Sequence, residues 1–434
     1  MAVDVANLEC KELEELFDRL WPITRSLTGN GVRETHNIIS EYVPLERIEV
    51  ACGSKAFDWT IPDEWKLNDA YVVGPDGRRI IDVADNNLHL ISYSAPFKGT
   101  MSLRELDKRL HSISEQPDAI PYLTSYYDKN WGFCITQNQR DSLIEGNYQI
   151  VIDTEFIQDG SMTLSEAVLP GESEKEILIS TYTCHPSMAN NELSGPLAST
   201  MLYRRLAQKE NRRFTYRFAY LVETVGAVAY LSLRGEHLKE NLEAGLVVTC
   251  LGGAGELHYK NTVTKDTIID RASKKALDEM EIPYQSVSFF PWGSDERQYG
   301  SPGIRLPVGM LMRGKFFEQP EYHTSLDNKD LISFTEISEA VDALETICET
   351  LELNGTFLSK IECGEPQFSQ YGLYPTIGAS REIELERQAL MWVMALSDGE
   401  HDLIDIANLS DLKMAQLSHA VKKCVEAGIL GTVK

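Results

Sequence analysis

The segment TYTCHPSMANNELSG places two potential metal ligands, His185 and Glu192, directly after a short apolar run, EILISTYT. The run predicts a buried strand, and Ser194 and Gly195 mark the beginning of a helix. An imidazole and a carboxylate in one loop at the carboxyl end of a strand can bind the same zinc ion. The alternative is a hydrogen-bonded loop histidine with a solvated glutamate near the helix N-terminus, and this segment alone leaves both open.

An acidic residue, Glu223, ends the apolar and aromatic stretch FAYLVETVG. Beside a metal ion, a carboxylate at this position can take a proton from water and deliver it to a leaving amine. It can equally stabilise the N-terminus of the following helix. The stretch therefore predicts either a general base or a helix-capping residue.

Two later loops carry further polar side chains. GSDERQYGSPGI contains Asp295, Glu296 and Arg297 between glycines, which is typical of a specificity loop or of an ordinary turn. EYHTSLDNKD contains Tyr322 and His323 after the apolar run GIRLPVGML. Surface histidines are common, so His323 is a candidate metal ligand only if the fold brings it to the other groups.

Predicted strands and helices alternate from residue 175 to residue 352. The runs EILISTYT, FTYRFAYLV, AGLVVTCLGG, YQSVSFF and GIRLPVGML have the composition of strands, and segments with helical periodicity lie between several of them. This alternation predicts a largely parallel sheet covered by helices on both faces. In such a sheet ligands lie beyond the carboxyl ends of the strands, and we expect the polar loops to meet there.

The order of these segments resembles the zinc-dependent aminopeptidase-like proteins, a family that includes bacterial leucyl aminopeptidases, glutamate carboxypeptidase II and glutaminyl cyclase. The resemblance covers 175–352 and implies an α/β fold with a three-layer core. It implies that His185 and His323 are the first and last metal-binding histidines, that Glu223 is the general base and that Tyr322 stabilises the oxyanion. It also implies a zinc cofactor and hydrolysis of an amide bond.

The sequence departs from the family pattern at three metal-binding positions. Asn191 stands where the family has a bridging aspartate, and Thr224 stands where a glutamate follows the general base. Thr249 or Cys250 stands in place of a further aspartate. Three of the carboxylates that hold two zinc ions are thus missing or displaced.

The remaining residues predict a site for one zinc ion, with a second ion left open. Two histidines, a glutamate and one open position form a known catalytic zinc set. The expected ligands are His185, Glu192 and His323. The expected substrate-binding groups are Asp295, Glu296, Arg297 and Asn191. Asp295 and Glu296 are expected to hold a substrate ammonium group, and Arg297 is an alternative to Tyr322 as the oxyanion donor.

The whole chain resembles a narrower bacterial group associated with polysaccharide biosynthesis, on the segments WPITRSLTGNGVRET, CHPSMANNELSG, GSDERQY and WVMALSDGEHDLIDIA. This resemblance implies three domains: a discontinuous aminopeptidase-like domain over 1–50 and 170–360, a small β-rich domain inserted at 50–170, and a C-terminal winged helix at 376–434. Short alternating runs and the turn sequence PDG also favour strands in the insertion. Three aromatic side chains of the insertion either line a substrate pocket or belong to the core of the insertion: Tyr126, Tyr127 and Trp131.

Composition and charge disfavour several other classes of protein. The 434 residues are 43% hydrophobic and carry a formal charge of −25, which disfavours nucleic acid and anionic membranes as partners. No apolar run reaches the roughly 18 residues of a membrane-spanning helix. The eight cysteines are scattered without a CxxC pair, which favours free thiols in a reducing compartment. We therefore expect a cytoplasmic protein.

The predicted winged helix carries six Lys/Arg against nine Asp/Glu over 381–434, a net charge of −3. This charge favours a contact with protein, or assembly with a second copy of the chain, over nucleic-acid binding. Three functional hypotheses follow. The first is a zinc-dependent hydrolase, an aminopeptidase or a deacylase, acting on a small peptide or an amidated metabolite. The others are a binding or scaffold protein without turnover and a nucleic-acid-linked regulator.

Overall fold

The computed structural model describes residues 2–290, 292–373 and 381–433. The chain divides into unit 1, with residues 1–265 and 284–342, and unit 2, with residues 266–283 and 343–434. Within the predicted winged helix, residues 376–380 and Lys434 lie outside the described residues. None of the helices in the described part of the chain is both long enough and apolar enough to cross a membrane.

Unit 1 begins with two helices and a strand, α1 (Ala2–Leu20), α2 (Asn30–Ile39) and β1 (Glu46–Ala51). Both helices agree with the helical spacing of apolar residues in the sequence. Leu13, Leu16 and Leu20 form a buried stripe along α1. The segment that connects the two helices carries Arg25, which is buried as well.

Short strands and two short helices follow: β2 (Lys55–Ala56), β3 (Trp59–Thr60), β4 (Glu64–Val73), β5 (Arg79–Asp82), β6 (Phe97–Ser102), α3 (Leu103–Leu106), β7 (Leu110–His111), β8 (Phe133–Cys134), α4 (Gln137–Asp141) and β9 (Asn147–Ile157). Strands β5, β4, β9 and β6 form an antiparallel sheet in that order. The PDG turn joins β4 to β5, and Gly77 in it has a φ of 82°, which glycine adopts without strain. Alternate residues of β9 are buried, so one face of this sheet packs inward.

The rest of the α/β part contains β10 (Ser161–Leu169), β11 (Glu176–Tyr182), α5 (Ser194–Ala207), β12 (Thr215–Leu221), α6 (Val225–Asn241), β13 (Leu242–Val248), β14 (Leu257–Lys260), α7 (Ile268–Glu279), β15 (Tyr284–Val287), α8 (Glu296–Tyr299), β16 (Val308–Arg313) and α9 (Phe334–Leu353). Helix α7 and most of α9 belong to unit 2. Eight strands form the main sheet of unit 1, in the order β1–β10–β12–β11–β13–β16–β14–β15.

The main sheet is parallel at its centre. Strands β12, β11, β13 and β16 run parallel to one another, whereas the pairs β1–β10, β10–β12 and β14–β16 are antiparallel. Every residue of β11 is buried, as expected for a strand that is covered on both faces. The predicted α/β fold is confirmed, with a mixed sheet in place of the largely parallel one.

Two strands of the main sheet differ from the elements that the sequence predicts. Strand β10 falls inside the range 50–170, predicted as an insertion, but it pairs with β1 and β12. Strand β14 has no counterpart among the predicted strands, because its four residues, LHYK, are too few to show a periodic pattern.

The C-terminal part of unit 2 contains β17 (Thr356–Ser359), α10 (Arg381–Leu396), β18 (Asp398–Asp402), α11 (Leu403–Ser410), α12 (Met414–Glu426) and β19 (Leu430–Thr432). The strands form an antiparallel sheet in the order β18–β17–β19. Asp402 caps α11 by accepting a hydrogen bond from the backbone N–H of Asp405 over 3.0 Å. The predicted winged helix is confirmed, and its first strand precedes the predicted start at residue 376.

Candidate functional site

The candidate site lies at the carboxyl ends of three neighbouring strands. His185 follows β11, Glu223 follows β12 and Cys250 follows β13. Because β11 is parallel to both β12 and β13, these three ends share one edge of the main sheet. Two of the polar segments singled out in the sequence, those of His185 and Glu223, therefore begin side by side, next to Cys250.

His185 contacts two acidic side chains within the part of the chain that the structure describes. Its Nδ1 lies 3.0 Å from Oε2 of Glu192, and its Nε2 lies 3.6 Å from Oε2 of Glu223. Burial opposes a positive charge on His185, but Cys184, Tyr122 and the hydrogen bond with Glu192 outweigh it and raise the pKa well above its ordinary value. The two carboxylates thus contact opposite nitrogens of one imidazole.

His323 lies beside His185, although the two are far apart in the sequence. The centroids of their imidazole rings are 5.5 Å apart. Nε2 of His323 is buried and has no hydrogen-bond partner among the described residues. Burial and then the neighbouring His185 lower the pKa of His323 to about 3, so its ring is neutral. A neutral imidazole with an available nitrogen is the form that binds a metal ion.

The ring of Tyr322 stacks on the ring of His323, with 4.0 Å between centroids and an angle of 12° between planes. Burial raises the pKa of Tyr322, and the charge of Glu223 raises it further. The phenol therefore keeps its proton at neutral pH and remains a hydrogen-bond donor.

Glu223 is partly accessible, with 25% of its side chain exposed. Its Oε1 accepts a hydrogen bond from Oγ of Ser294. The next residue, Thr224, has a φ of 60°, and its backbone N–H donates to Asp295 over 2.7 Å. A carboxylate that is both anchored and accessible can exchange a proton with water or substrate.

Asp295 and Glu296 directly follow Ser294, which donates to Glu223, and are both 0% exposed. Glu296 pairs with Lys260, which is also buried, and accepts a hydrogen bond from the backbone N–H of Ser294 over 2.9 Å. This burial contradicts their predicted role as ligands of a substrate ammonium group. The two carboxylates support the loop that carries Ser294. The side chain of Arg297 is exposed, and its predicted substrate contact stays a prediction.

Asn191 lies on the π-helical turn Ala189–Leu193, directly before α5. Its Nδ2 donates to the hydroxyl of Tyr182 over 3.2 Å, whereas its Oδ1 is buried with no hydrogen-bond partner in the described part of the chain. Asp327 holds the turn by accepting the backbone N–H of Asn191 over 2.9 Å, and burial raises the pKa of Asp327 to about 6. The amide oxygen of Asn191 can accept from a substrate or bind a cation.

Arg25 is a site residue that the sequence analysis missed. Its side chain is fully buried, and its Nε donates to the carbonyl oxygen of His185 over 2.8 Å. The same Nε lies 3.6 Å from Oε1 of Glu192. The segment PITRSLTGNG does not predict this contact, because His185 and Glu192 lie more than 150 positions away in the sequence. Lys260 was missed for a similar reason, since it lies on the unpredicted strand β14.

Tyr122, in the chain segment predicted as an insertion, also reaches the site. The centroid of its ring is 5.2 Å from that of His185 and 5.3 Å from that of His323. A cavity of about 650 Å³ opens beside the rings of Tyr122 and His323. Its lining includes Leu110, His111, Ile113, Arg140, Phe317 and Tyr322.

None of the three aromatic residues proposed for the pocket from the sequence lines this cavity, although Tyr126 lies close enough to His185 and Glu223 for their charges to affect its pKa. Tyr126 and Tyr127 line a separate cavity of about 200 Å³. Trp131 stacks on Phe97 with 4.4 Å between ring centroids. The segment predicted as an insertion therefore supplies Tyr122 to the cavity beside His323. The sequence has no pattern that distinguishes Tyr122 from its aromatic neighbours.

Two family models match the chain. One, described as "Domain of unknown function (DUF4910)", matches residues 14–354, and a winged helix-turn-helix model matches residues 356–432. A Clostridium acetobutylicum protein named "Putative polysaccharide biosynthesis protein with aminopeptidase-like domain" is 43% identical over 423 residues, which cover 97% of this chain and 96% of that protein. The resemblance to the polysaccharide-associated group is confirmed.

Solved structures show the same architecture. A Clostridium acetobutylicum protein described as a "putative peptidase" has a TM-score of 0.92 and 41% identity, covering 100% of this chain and 98% of its own. The zinc aminopeptidase BSAP from Bacillus subtilis has a TM-score of 0.55 and 13% identity, covering 77% and 93%. A peptidase M28 precursor from Shewanella amazonensis has a TM-score of 0.55 and 11% identity, covering 83% and 98%. The last two similarities concern the fold alone, and they confirm an aminopeptidase-like core.

Proposed function

The chain belongs to the DUF4910 family, and we propose that it is a zinc-dependent hydrolase of amide bonds. The observation that carries the proposal is the approach of His185 to His323, with the carboxylate of Glu223 beside Nε2 of His185. The fold shared with the Bacillus subtilis zinc aminopeptidase supports the same class of reaction.

The side chains at this edge of the main sheet fit a zinc ion. Nε2 of His323 and Oδ1 of Asn191 are both buried without a hydrogen-bond partner in the described residues, which is costly unless a further group binds them. Imidazole nitrogen and carboxylate oxygen are ligands that zinc prefers. The proposed ligands are those expected from the sequence, His185, Glu192 and His323, around one ion.

Different residues of the chain have separate proposed roles in catalysis. A bound zinc ion supplies polarisation of the scissile carbonyl and acidification of water. Glu223 takes a proton from water and delivers it to the leaving amine, while Ser294 holds its carboxylate in place. The hydroxyl of Tyr322 donates a hydrogen bond to the developing oxyanion, with the exposed Arg297 as the alternative donor.

The proposed substrate is a small peptide or an amidated metabolite. The cavity of about 650 Å³ beside His323 lies within the size range of small-molecule sites. An aminopeptidase is the leading form of the proposal. A deacylase acting on an amino sugar is the second form, favoured by the association with polysaccharide biosynthesis in the name of the Clostridium acetobutylicum relative.

A binding or scaffold protein that retains the fold without turnover is the second candidate function. The observation that favours it is the neutral character of Asn191 and Thr224, which leaves the site with few carboxylates to hold metal ions. Such a protein binds the same small molecules but lacks measurable hydrolysis.

We also propose a reducing, cytoplasmic location and a protein-contact role for the winged helix. All eight cysteines are free thiols, which suits a reducing compartment. The excess of acidic residues in the winged helix opposes binding to nucleic acid and leaves a partner protein or a second copy of the chain as its contact.

Metal analysis and turnover of leucine p-nitroanilide test the hydrolase together. We expect about one zinc ion per chain and measurable hydrolysis, and we expect Glu223→Gln to lower kcat by about 10²- to 10⁴-fold while it retains zinc. Glu318→Gln is the matched control, because this side chain is 66% exposed.

Bound zinc without hydrolysis of peptide amides or N-acetyl amino sugars favours the scaffold. Zinc that stays bound in His323→Ala contradicts the ligand assignment.

A further inference from the structure

Arg25 contacts the backbone of His185 and lies beside Glu192. Its guanidinium is held by two backbone carbonyls, with Nε 2.8 Å from the oxygen of His185 and Nη1 2.7 Å from the oxygen of Leu20. The side chains of Arg25 and Glu192 are both 0% exposed, and Nε of Arg25 lies 3.6 Å from Oε1 of Glu192. A buried carboxylate is stabilised by a counter-charge or by a metal ion beside it.

The two oxygens of Glu192 therefore face different partners. Oε1 lies 3.6 Å from Nε of Arg25 without a hydrogen bond among the described residues, and Oε2 lies 3.0 Å from Nδ1 of His185. A carboxylate that accepts a hydrogen bond from Nδ1 keeps the ring proton on that nitrogen, so a cation that displaces the other ring proton binds at Nε2. Nε2 is the nitrogen next to Glu223.

The charges differ on the two sides of His185. On the Nδ1 side, Cys184, His185 and Glu192 bring three possible ligand atoms within 4.8 Å of one another, but the guanidinium of Arg25 lies beside the same carboxylate. A divalent cation placed there meets a fixed positive charge. On the Nε2 side lies the carboxylate of Glu223, and no arginine or lysine among the described residues forms an ion pair with it.

We infer that Arg25 is a positioning residue that acts as the built-in counter-charge of the site. It neutralises Glu192, commits that carboxylate to orienting His185, and confines the site to one divalent cation on the Nε2 side. The inference rests on the proposed metal site at His185 and His323. It replaces the proposed role of Glu192 as a zinc ligand: Glu192 instead orients the ligand His185.

Zinc binding to the full chain, stripped of metal and titrated against a chromophoric chelator, tests the inference. We expect one zinc ion in the wild type and a 10- to 100-fold weaker affinity in Glu192→Gln. Arg25→Met is expected to weaken zinc binding at least 10-fold, because Glu192 then loses the neighbouring guanidinium and no longer holds Nδ1 of His185 in one orientation. Arg25→Lys, which keeps the charge, is expected to stay within a few-fold of the wild type.

The double variant Arg25→Met/Glu192→Gln is expected to bind zinc no more weakly than Glu192→Gln alone, and to unfold at a higher temperature than Arg25→Met alone. Arg217→Met is the control for loss of a buried guanidinium, since Arg217 pairs with buried Glu176 at the other end of β11. It is expected to lower thermal stability without changing zinc affinity.

Two zinc ions in the wild type, unchanged affinity in Arg25→Met, or effects that multiply in the double variant would overturn the inference. A wild type that binds no zinc rejects the proposed hydrolase instead. In that case the unfolding temperatures still decide whether Arg25 and Glu192 act as a pair, because recovery in the double variant supports the pairing and additive losses refute it.

Discussion

The backbone N–H of Tyr122 donates a hydrogen bond to the carbonyl oxygen of His323 over 2.8 Å. Two hydrogen bonds between Ile120 and Ser325 extend this contact: the N–H of Ser325 donates to the carbonyl of Ile120, and Oγ of Ser325 accepts from the N–H of Ile120, each over 2.9 Å. His323 has a φ of 57°, a conformation that its surroundings must stabilise. The segment around Tyr122 therefore holds the proposed metal ligand in place.

Substitution of Ser325 by alanine tests this support. Ser325→Ala removes the acceptor for the N–H of Ile120 and is expected to weaken zinc affinity on the order of 10-fold, a typical result of losing a group that supports a ligand. Ser142→Ala is the control, because its Oγ donates only to the nearby carbonyl of Gln139 on an exposed turn. Equal zinc affinity in both variants would show that the contact does not position His323.

Tyr322→Phe tests the proposed oxyanion donor. The variant keeps the ring that stacks on His323 but loses the hydroxyl, so we expect kcat to fall by about 10²- to 10³-fold with little change in KM or zinc affinity. Tyr371→Phe, in unit 2, is the control. A rise in KM without a fall in kcat would instead assign the hydroxyl to binding of the ground-state substrate.

Lys260 and Glu296 form an ion pair with both side chains 0% exposed. Lys260→Met leaves Glu296 as a buried unpaired charge, and we expect it to reduce the free energy of unfolding by about 3–5 kcal/mol. The double variant Lys260→Met/Glu296→Gln is expected to recover part of this loss. Urea unfolding measures both, with Lys315→Met as the control because its partner, Glu318, is mostly exposed. A control loss as large as that of Lys260→Met would contradict the argument from burial.

His36 makes stability depend on pH. Burial lowers its pKa to about 3, and its two ring nitrogens contact Thr183 and Ser165 over 2.8 and 2.7 Å. An unfolded histidine takes up a proton below its ordinary pKa of about 6.5, whereas folded His36 stays neutral until about 3. Its contribution is therefore complete above the unfolded pKa and decreases by about 1.4 kcal/mol per pH unit as the pH falls through this window.

Urea unfolding of wild type and His36→Gln at pH 7, 6 and 5 measures this contribution. The glutamine is expected to flatten the loss of stability between pH 6 and pH 5 relative to the wild type. Parallel pH profiles for wild type and His36→Gln would mean that His36 is not the group responsible.

Removal of zinc is expected to abolish turnover and to lower the unfolding temperature. Zinc at 100 times its dissociation constant stabilises the folded state by about 2.7 kcal/mol if it binds only that state. Calorimetry with and without a chelator measures the difference, and magnesium is the control cation, since it disfavours imidazole ligands. Turnover that persists without any divalent cation contradicts a metal-dependent hydrolase.

The sequence by itself determined the α/β architecture and pointed to several residues of the candidate site. Strands β11, β12 and β13 are apolar runs of recognisable length, and His185 and Glu223 follow two of them, so their position at one edge of the sheet could be predicted. His323 was predicted from the order of its segment and its resemblance to a family. Each of these predictions depends on local periodicity or on a motif.

Only the tertiary structure decided which side chains from distant parts of the chain meet near that edge of the sheet. Arg25, Lys260 and Tyr122 come from an interhelical segment, from a four-residue strand and from a loop, and none of them has a periodic pattern around it. Conversely, Asp295 and Glu296 have the composition of a substrate-binding loop, yet both are buried. The physical reason is that burial and ion pairing depend on side chains that are distant in the chain and meet only when the sheet is assembled.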